Sequence, residues 1–200
     1  IESRDELIVN TPQKYAGLTG VEVKTGKEAV GLNADRKEIT VRDTETGTEE
    51  ICSYDKLVLA VGASPAVLPV PGTDKQGVFK MRTPDDAIQI RSYAEEHQVK
   101  KAVVIGAGFI GLEAAENLKA KGIQVTVIDF VITGTKAEEI LGDSEVTGVK
   151  TSAGVLGCEL LIMAAGIRPN TDFLTDSGIE MFRGTILVDH TMKTSLEDVY

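Results

Sequence analysis

The sequence predicts an α/β fold with one parallel sheet and a separate antiparallel meander, and three observations carry that prediction. Lys101-Ala102-Val103-Val104-Ile105 is a short apolar run that opens directly into the glycine-rich stretch Gly106-Ala107-Gly108-Phe109-Ile110-Gly111. A helical pattern follows from about Ile110 to Lys121, and then a second apolar strand, Ile123–Ile128. Strand, helix and strand at this spacing predict a parallel β-α-β unit. Third, β-forming runs separated by polar turns fill much of the first 60 residues, the pattern of hairpin-connected strands.

In chain order, Val21–Lys24 and Glu28–Leu32 read as strands, and Asn33-Ala34-Asp35-Arg36 as a turn into Glu38–Arg42. Glu45-Thr46-Gly47 closes a second turn that leads to Glu50–Tyr54, which completes the meander. Leu57-Val58-Leu59-Ala60-Val61 is five apolar residues in a row, the pattern of a strand buried on both faces. It stops at Gly62-Ala63-Ser64-Pro65. Pro65, Pro69, Pro71 and Gly72 exclude helix and central strand, so this stretch reads as a connection between two units. Thr83-Pro84-Asp85-Asp86 then starts a helix: threonine caps, proline suits the first helical position, and the two acids face the positive end of the dipole. Ala87, Ile90 and Ala94 recur at helical spacing to about Glu96.

A G-x-G-x-x-G stretch acquires meaning only between a strand and a helix, which is its setting here. Gly106 permits the tight turn, Gly108 lets the backbone approach a diphosphate, and Gly111 lets the helix pack closely on the strand. Free N–H groups at the helix N-terminus, Ala107 to Ile110 included in the loop, then face the negative phosphates of a dinucleotide. Lys119, Lys121 and Gly122 end the helix with cations and a left-handed residue. Asp129 stands at the end of the second strand, 18 residues after Gly111. A carboxylate there accepts hydrogen bonds from a ribose 2′-hydroxyl and repels a 2′-phosphate, so the pattern predicts NAD, with NADH preferred over NADPH.

The next segment breaks the pattern. Parallel strands need a crossover of about a dozen residues or more, yet Phe130-Val131-Ile132-Thr133 follows Asp129 with neither a turn signal nor a helical period. Ile123–Thr133 would be one long apolar strand, so residues are expected to be absent between about Phe130 and Val131.

Composition is that of a globular protein: 200 residues, 42% hydrophobic and 26% charged. The formal net charge of -10 is spread along the chain and argues against nucleic acid, which selects basic faces. No apolar run approaches the length of a membrane span, and no signal peptide is visible. Cys52 and Cys158 form no C-x-x-C and no zinc spacing, and read as ordinary thiols. His97 and His190 have no neighbouring ligand residues and read as solvated or capping side chains. No metal site is expected.

The order of these motifs resembles the pyridine nucleotide-disulfide oxidoreductases, flavoproteins in which an NAD domain is threaded into an FAD domain. Tyr54–Pro65 is similar to the segment where the chain leaves the FAD domain, with Val61 where the family's A-T-G has threonine. Met81–Ala87 resembles the linker helix, and Gly106–Gly111 with Asp129 the nicotinamide-cofactor fingerprint. Leu160–Thr171 resembles the return strand and its G-x-x-P-N-T turn, preceded by Cys158-Glu159. Thr194–Tyr200 resembles the run before the second flavin motif. Asn10-Thr11-Pro12 and the Thr44–Gly47 turn are most like the CoA-disulfide reductase and NADH oxidase group.

The resemblance implies a Rossmann-like NAD-binding domain inserted into a partial FAD-binding domain that carries the antiparallel β-meander. The implied division is 1–80 for the partial FAD domain, 81–170 for the NAD domain and 171–200 for the return. It implies a cytoplasmic FAD-dependent enzyme, a homodimer when intact. NADH passes a hydride to flavin, and electrons move on to a small disulfide or to oxygen; the family's redox cysteine would precede Ile1, and neither Cys52 nor Cys158 stands in its motif. Phe109 matches an aromatic over the nicotinamide pocket, although by itself it reads equally as packing for the helix start. Glu113 matches a glutamate at the nicotinamide end, or is a solvated helix acid. Gly166 would lie beside NAD, Ala60 and Gly62 would line the flavin, and Ala29 or Val30 would meet the adenine of FAD. Two other readings are a non-catalytic NAD-binding module and a ferredoxin-reductase-type flavoprotein.

Overall fold

The computed structural model describes residues 9–200, which form two compact units. One comprises Val9–Ala63 with Arg168–Tyr200, and the other is the inserted segment Ser64–Ile167. Among the described residues no helix is long and apolar enough to cross a membrane.

The first unit begins with helix α1, Pro12–Thr19, capped by the Thr11 side chain on the Lys14 N–H and closed by Gly20 at φ 72°. No strand forms at Val21–Lys24, contrary to the sequence expectation: Val21 and Val23 are exposed and have no neighbouring strand among the described residues. The meander follows as β1 (Lys27–Asn33), β2 (Glu38–Asp43) and β3 (Glu49–Ser53), antiparallel in that order. Its turns are built as their residue types dictate: the Asn33 side chain accepts from the Arg36 N–H, and Asp43 accepts from Glu45 and Thr46. A bulge lies between Ala29 and Gly31, which leaves Val30 out of register with β2.

Leu57–Val61 is not buried on both faces. Leu57 and Leu59 pack into a core with Leu32, Leu174 and Val199, whereas Val58 is 73% exposed. Along the run, Leu57 and Leu59 donate to Asp198 and Tyr200, and Tyr200 donates back to Leu57. Short β4, Ala63–Pro65, carries the chain onward.

In the inserted unit, β5 (Val78–Lys80), β6 (Lys101–Ile105), β7 (Gln124–Ile128) and β11 (Leu160–Met163) form a parallel sheet in the order β5-β11-β6-β7. Helix α2, Pro84–Glu96, and helix α3, Phe109–Ala120, supply Ile90, Ala94, Ala114 and Leu118 to a core with Val104, Leu160 and Ile162. A second core contains Val103, Leu161 and Met163 of the same sheet. Alternate residues therefore serve opposite cores, which is why β6 and β11 read as continuous apolar runs. Ile140 and Val149 in that second core come from the antiparallel strands β8 (Ala137–Leu141), β9 (Gly148–Thr151) and β10 (Gly154–Gly157).

The junction after Asp129 is neither a long strand nor a full crossover. Phe130–Thr133 is one short helical turn, α4, closed by Gly134 at φ 66°, and the chain passes from it straight into β8. Phe130, Val131 and Ile132 are 69%, 89% and 69% exposed. Strands β12 (Ile167–Pro169), β13 (Met181–Phe182) and β14 (Thr185–Ile186) complete the chain, the last two as a hairpin.

Candidate dinucleotide-binding site

The carboxyl ends of β6, β7 and β11 lie side by side and define the site. Ligands of open parallel sheets bind at that edge. Gly106 ends β6 at φ 110°, and a Cβ there would lie 2.3 Å from the Ala164 carbonyl oxygen, after β11. Gly111 is equally constrained, since its Cβ would meet the Gly106 oxygen at 2.0 Å. Gly108 differs: its φ of -76° suits any residue, and nothing lies within 4 Å of a Cβ placed there. Two of the three glycines thus serve the turn and the close packing of helix on strand, and the middle one faces open space.

The N-termini of α2 and α3 contrast in chemistry. At α2, Thr83 accepts from the Asp86 N–H and Asp86 accepts from the Thr83 N–H, a closed capping box. At α3 the cap is Gly108, with no side-chain bond, and the first helical bond runs from Leu112 to Gly108. The amides of Phe109, Ile110 and Gly111 have no intrahelical acceptor. Free donors on a helix dipole favour an anion such as a diphosphate.

Asp129 sits at the end of β7 beside this loop. Its Oδ2 accepts from the Ala107 N–H at 3.0 Å, and its Oδ1 accepts from Val131 and Ile132 at 2.8 and 2.9 Å. The Ala107 amide, then those of Ile132 and Val131, hold its carboxyl below the ordinary aspartate value. A charged carboxylate beside the glycine loop is therefore maintained.

Phe109 is 97% exposed and does not pack the helix start. Glu113 is exposed one turn into α3, where Asn117 donates to its side chain and carbonyl. Gly166 is exposed at φ 104° beyond β11, and its carbonyl accepts from Ala66. These three, with Gly106–Gly111 and Asp129, fall within the inserted unit. Ala60, Gly62 and Val30 fall within the other unit: Ala60 and Gly62 are exposed, Gly62 at φ 63°, and Val30 is half-buried on the bulge.

Two residues acquire roles that motif reading had not given them. Asn170 of the G-x-x-P-N-T turn donates from its side chain to the Val61 carbonyl and from its backbone to Gly62. It thereby fixes the loop that holds Ala60 and Gly62. Glu159 accepts from the Lys100 and Lys101 amides at 2.6 and 3.2 Å, pinning the start of β6. Only a long-range pairing shows either role, so spacing along the chain carries no signal for them.

Both cysteines are free. Cys158 is 3% exposed, and burial pushes its thiol up to about 11. His97 caps α2, stacks on Tyr93 at 3.9 Å, and its Nδ1 lies 3.0 Å from the Tyr93 carbonyl. Among the described residues no group of three or more His, Cys, Asp or Glu side chains is placed to hold a metal ion.

An open parallel sheet with an uncapped glycine-loop helix and an acid on the neighbouring strand defines a dinucleotide-binding fold. The chain belongs to the pyridine nucleotide-disulphide oxidoreductase family, which it matches over residues 5–131 and again over 130–200. It is 31% identical to an NADH oxidase of Methanocaldococcus jannaschii over 227 residues, covering 100% of this chain and 50% of that protein. It is 32% identical to an NAD(P)H coenzyme A polysulfide/persulfide reductase of Pyrococcus horikoshii, again over 227 residues with 100% and 50% covered. The water-forming NADH oxidase from Lactobacillus brevis, solved with NADH bound, superposes with a TM-score of 0.89 at 28% identity, covering 100% of this chain and 50% of that one. The chain thus spans about half the length of these relatives.

Proposed function

We propose that Ser64–Ile167 is the NADH-binding unit of an FAD-dependent oxidoreductase, and that Val9–Ala63 with Arg168–Tyr200 is part of its flavin-binding domain. The observation that carries the reading is the uncapped α3 N-terminus with Gly108 open in front of it, in a chain whose other long helix is fully capped. The amides of Phe109 and Ile110 hold the diphosphate, with Gly106, Ala107, Gly108 and Gly111 shaping the turn. Asp129 faces the adenosine ribose and disfavours a 2′-phosphate by charge, which makes NADH the preferred donor over NADPH. Phe109, Glu113 and Gly166 attend the nicotinamide half.

These residues fit NAD: donors, open backbone and an acid stand at one sheet edge. For FAD the chain offers Ala60, Gly62 and Val30, with the 60–62 loop held by Asn170. Bound FAD supplies the two-electron acceptor for the hydride. The protein's own contribution is placement of the donor. Cys52 and Cys158 take no part, and the thiol that meets the acceptor is assigned to the rest of the protein.

The names of the relatives support a CoA-disulfide-like compound or oxygen as acceptor. We place the whole protein in the cytoplasm as a homodimer. The double family match, broken at 130/131, and alignments of 227 residues against a chain of 200 support a further crossover segment between Phe130 and Val131 in the natural sequence.

The test has two parts. NADH titration of this chain gives saturable quenching with no turnover. The whole protein is yellow and bleaches with NADH under anaerobic conditions, and re-oxidation by oxygen or by CoA disulfide identifies the acceptor. A chain that ignores NADH, or a whole protein that takes up no FAD, refutes the reading.

A further inference from the structure

The exposed side of α3 carries Phe109, Glu113 and Asn117 at i, i+4 and i+8, a row that starts at the free amides and runs along the helix. The opposite side, with Gly111, Ala114, Ala115 and Leu118, is buried. Within the row Asn117 is bonded twice to a single residue. Its Nδ2 donates to the Glu113 carbonyl at 2.8 Å and to Glu113 Oε1 at 3.3 Å. Both amide hydrogens are thereby used. Among the described residues nothing else bonds the Glu113 carboxylate, so Oε2 stays open. Asparagine is a poor helix former, because its side chain competes for nearby backbone groups, and at an exposed position alanine would serve α3 better. The bond to a carboxylate one turn back gives Asn117 a purpose that helix formation does not.

We propose that Asn117 is a positioning residue, which fixes the Glu113 carboxylate in one orientation and leaves Oε2 as the acceptor for the nicotinamide half of the cofactor. The carboxamide N–H2 and the ribose hydroxyls of that half are donors, and a carboxylate oxygen complements them. An exposed glutamate left to itself samples many rotamers, and ordering it on binding costs affinity. The tether removes that cost in advance. Asn117 itself touches no ligand.

This inference rests on the assignment of Glu113 to the nicotinamide half, and the experiment separates the two. ADP-ribose has the adenosine and both phosphates of NADH and lacks the nicotinamide. On the whole flavoprotein, the anaerobic rate of flavin bleaching against NADH concentration gives an apparent Kd, and competition by ADP-ribose gives a second. Both are measured for the wild type, Asn117→Ala, Asn117→Asp, Glu113→Ala and the double alanine variant, with thermal melts alongside. Asn117→Ala should melt no lower than the wild type, since alanine favours the helix. It should weaken NADH by about threefold to tenfold and leave ADP-ribose within about twofold. Asn117→Asp keeps the size and sets a like charge against Glu113, so NADH should bind more weakly than to the alanine variant. In the Glu113→Ala background, Asn117→Ala should change nothing further, because its effect passes through Glu113. If Asn117→Ala leaves NADH unchanged, weakens NADH and ADP-ribose alike, or adds its full effect to that of Glu113→Ala, the proposal fails. If Glu113→Ala itself leaves NADH unchanged, the assignment of Glu113 fails and takes the proposal with it. If the wild type responds to neither ligand, the NADH reading fails.

Discussion

The three glycines of the loop make a sharp experimental contrast, because the structure assigns them different duties. Gly106→Ala forces a residue with a Cβ into φ 110°, which costs about 1–3 kcal/mol in backbone strain. The new Cβ would also stand 2.3 Å from the Ala164 carbonyl oxygen, which is backbone and must move. Overpacking of that kind adds about 1–3 kcal/mol. A total of about 2–6 kcal/mol is a large share of the ~5–15 kcal/mol that holds a domain together. At roughly 4–8 °C per kcal/mol the melting temperature should fall by ~10 °C or more. Gly108→Ala meets neither obstacle, since its φ of -76° suits alanine and nothing lies within 4 Å. Its effect on stability should be neutral or a gain of about 0.4–1 kcal/mol through the unfolded chain. The methyl group would, however, stand in the space through which a diphosphate reaches the α3 amides, and NADH affinity should drop by about tenfold or more, ~1.4 kcal/mol. Thermal melts and NADH titrations on the two variants suffice. A Gly108→Ala protein that binds NADH normally, together with a Gly106→Ala protein that melts normally, would refute the division of labour.

Other consequences are simpler to test. With its pKa pushed up to about 11 and 3% exposure, Cys158 should resist a thiol reagent at pH 8 in the folded chain and react only on denaturation, whereas half-buried Cys52 reacts first. A fast reaction of both thiols in the native state would contradict the packing. Asp198 is held below its ordinary value of 3.8 by hydrogen bonds from Lys37 and then Lys56. Its contribution is complete above the unfolded value and is lost as pH falls through the lower folded value. Melts should therefore show no loss from this group between about pH 7 and 5, and a loss below about pH 4 that Asp198→Asn abolishes. Asn170→Ala removes the bond to Val61 and should cost about 1 kcal/mol. Hydrogen exchange should accelerate around residues 60–62 and leave β6 and α3 unchanged.

What the residues reveal in advance and what they conceal divide along physical lines. The meander, α2, β6, α3 and β7 are legible because each is specified locally, by a turn chemistry, a cap or an uninterrupted apolar run, whereas β11 is expected from the resemblance alone. Two segments depart from their local pattern, and each turns on a neighbour that the pattern does not supply. Val21–Lys24 has β-forming residues but no partner strand among the described residues, and a strand without a ladder leaves its backbone groups to water. Leu57–Val61 has the composition of a central strand, yet its ladder among the described residues is a short pairing with Asp198–Tyr200, and Val58 faces outward. Helix α1 carries a weak local signal, because its Thr11-Pro12 start precedes a stretch with no apolar stripe and none of its residues is buried.

The site shows the same division at finer scale. The two long helices of this unit, α2 and α3, begin after extended residues, and their first residues differ in kind: Thr83-Pro84-Asp85-Asp86 against Gly108-Phe109-Ile110-Gly111. The first set carries side chains that satisfy the helix's own amides, and the structure finds all of them in use. The second carries none, so its amides stay free for the ligand proposed above. A capping side chain at position 108 would stabilise α3 by about 0.5–2 kcal/mol. Its absence beside Asp129 is thus a stability concession made at a helix end on the carboxyl edge of the sheet, where an anionic ligand can supply the missing cap.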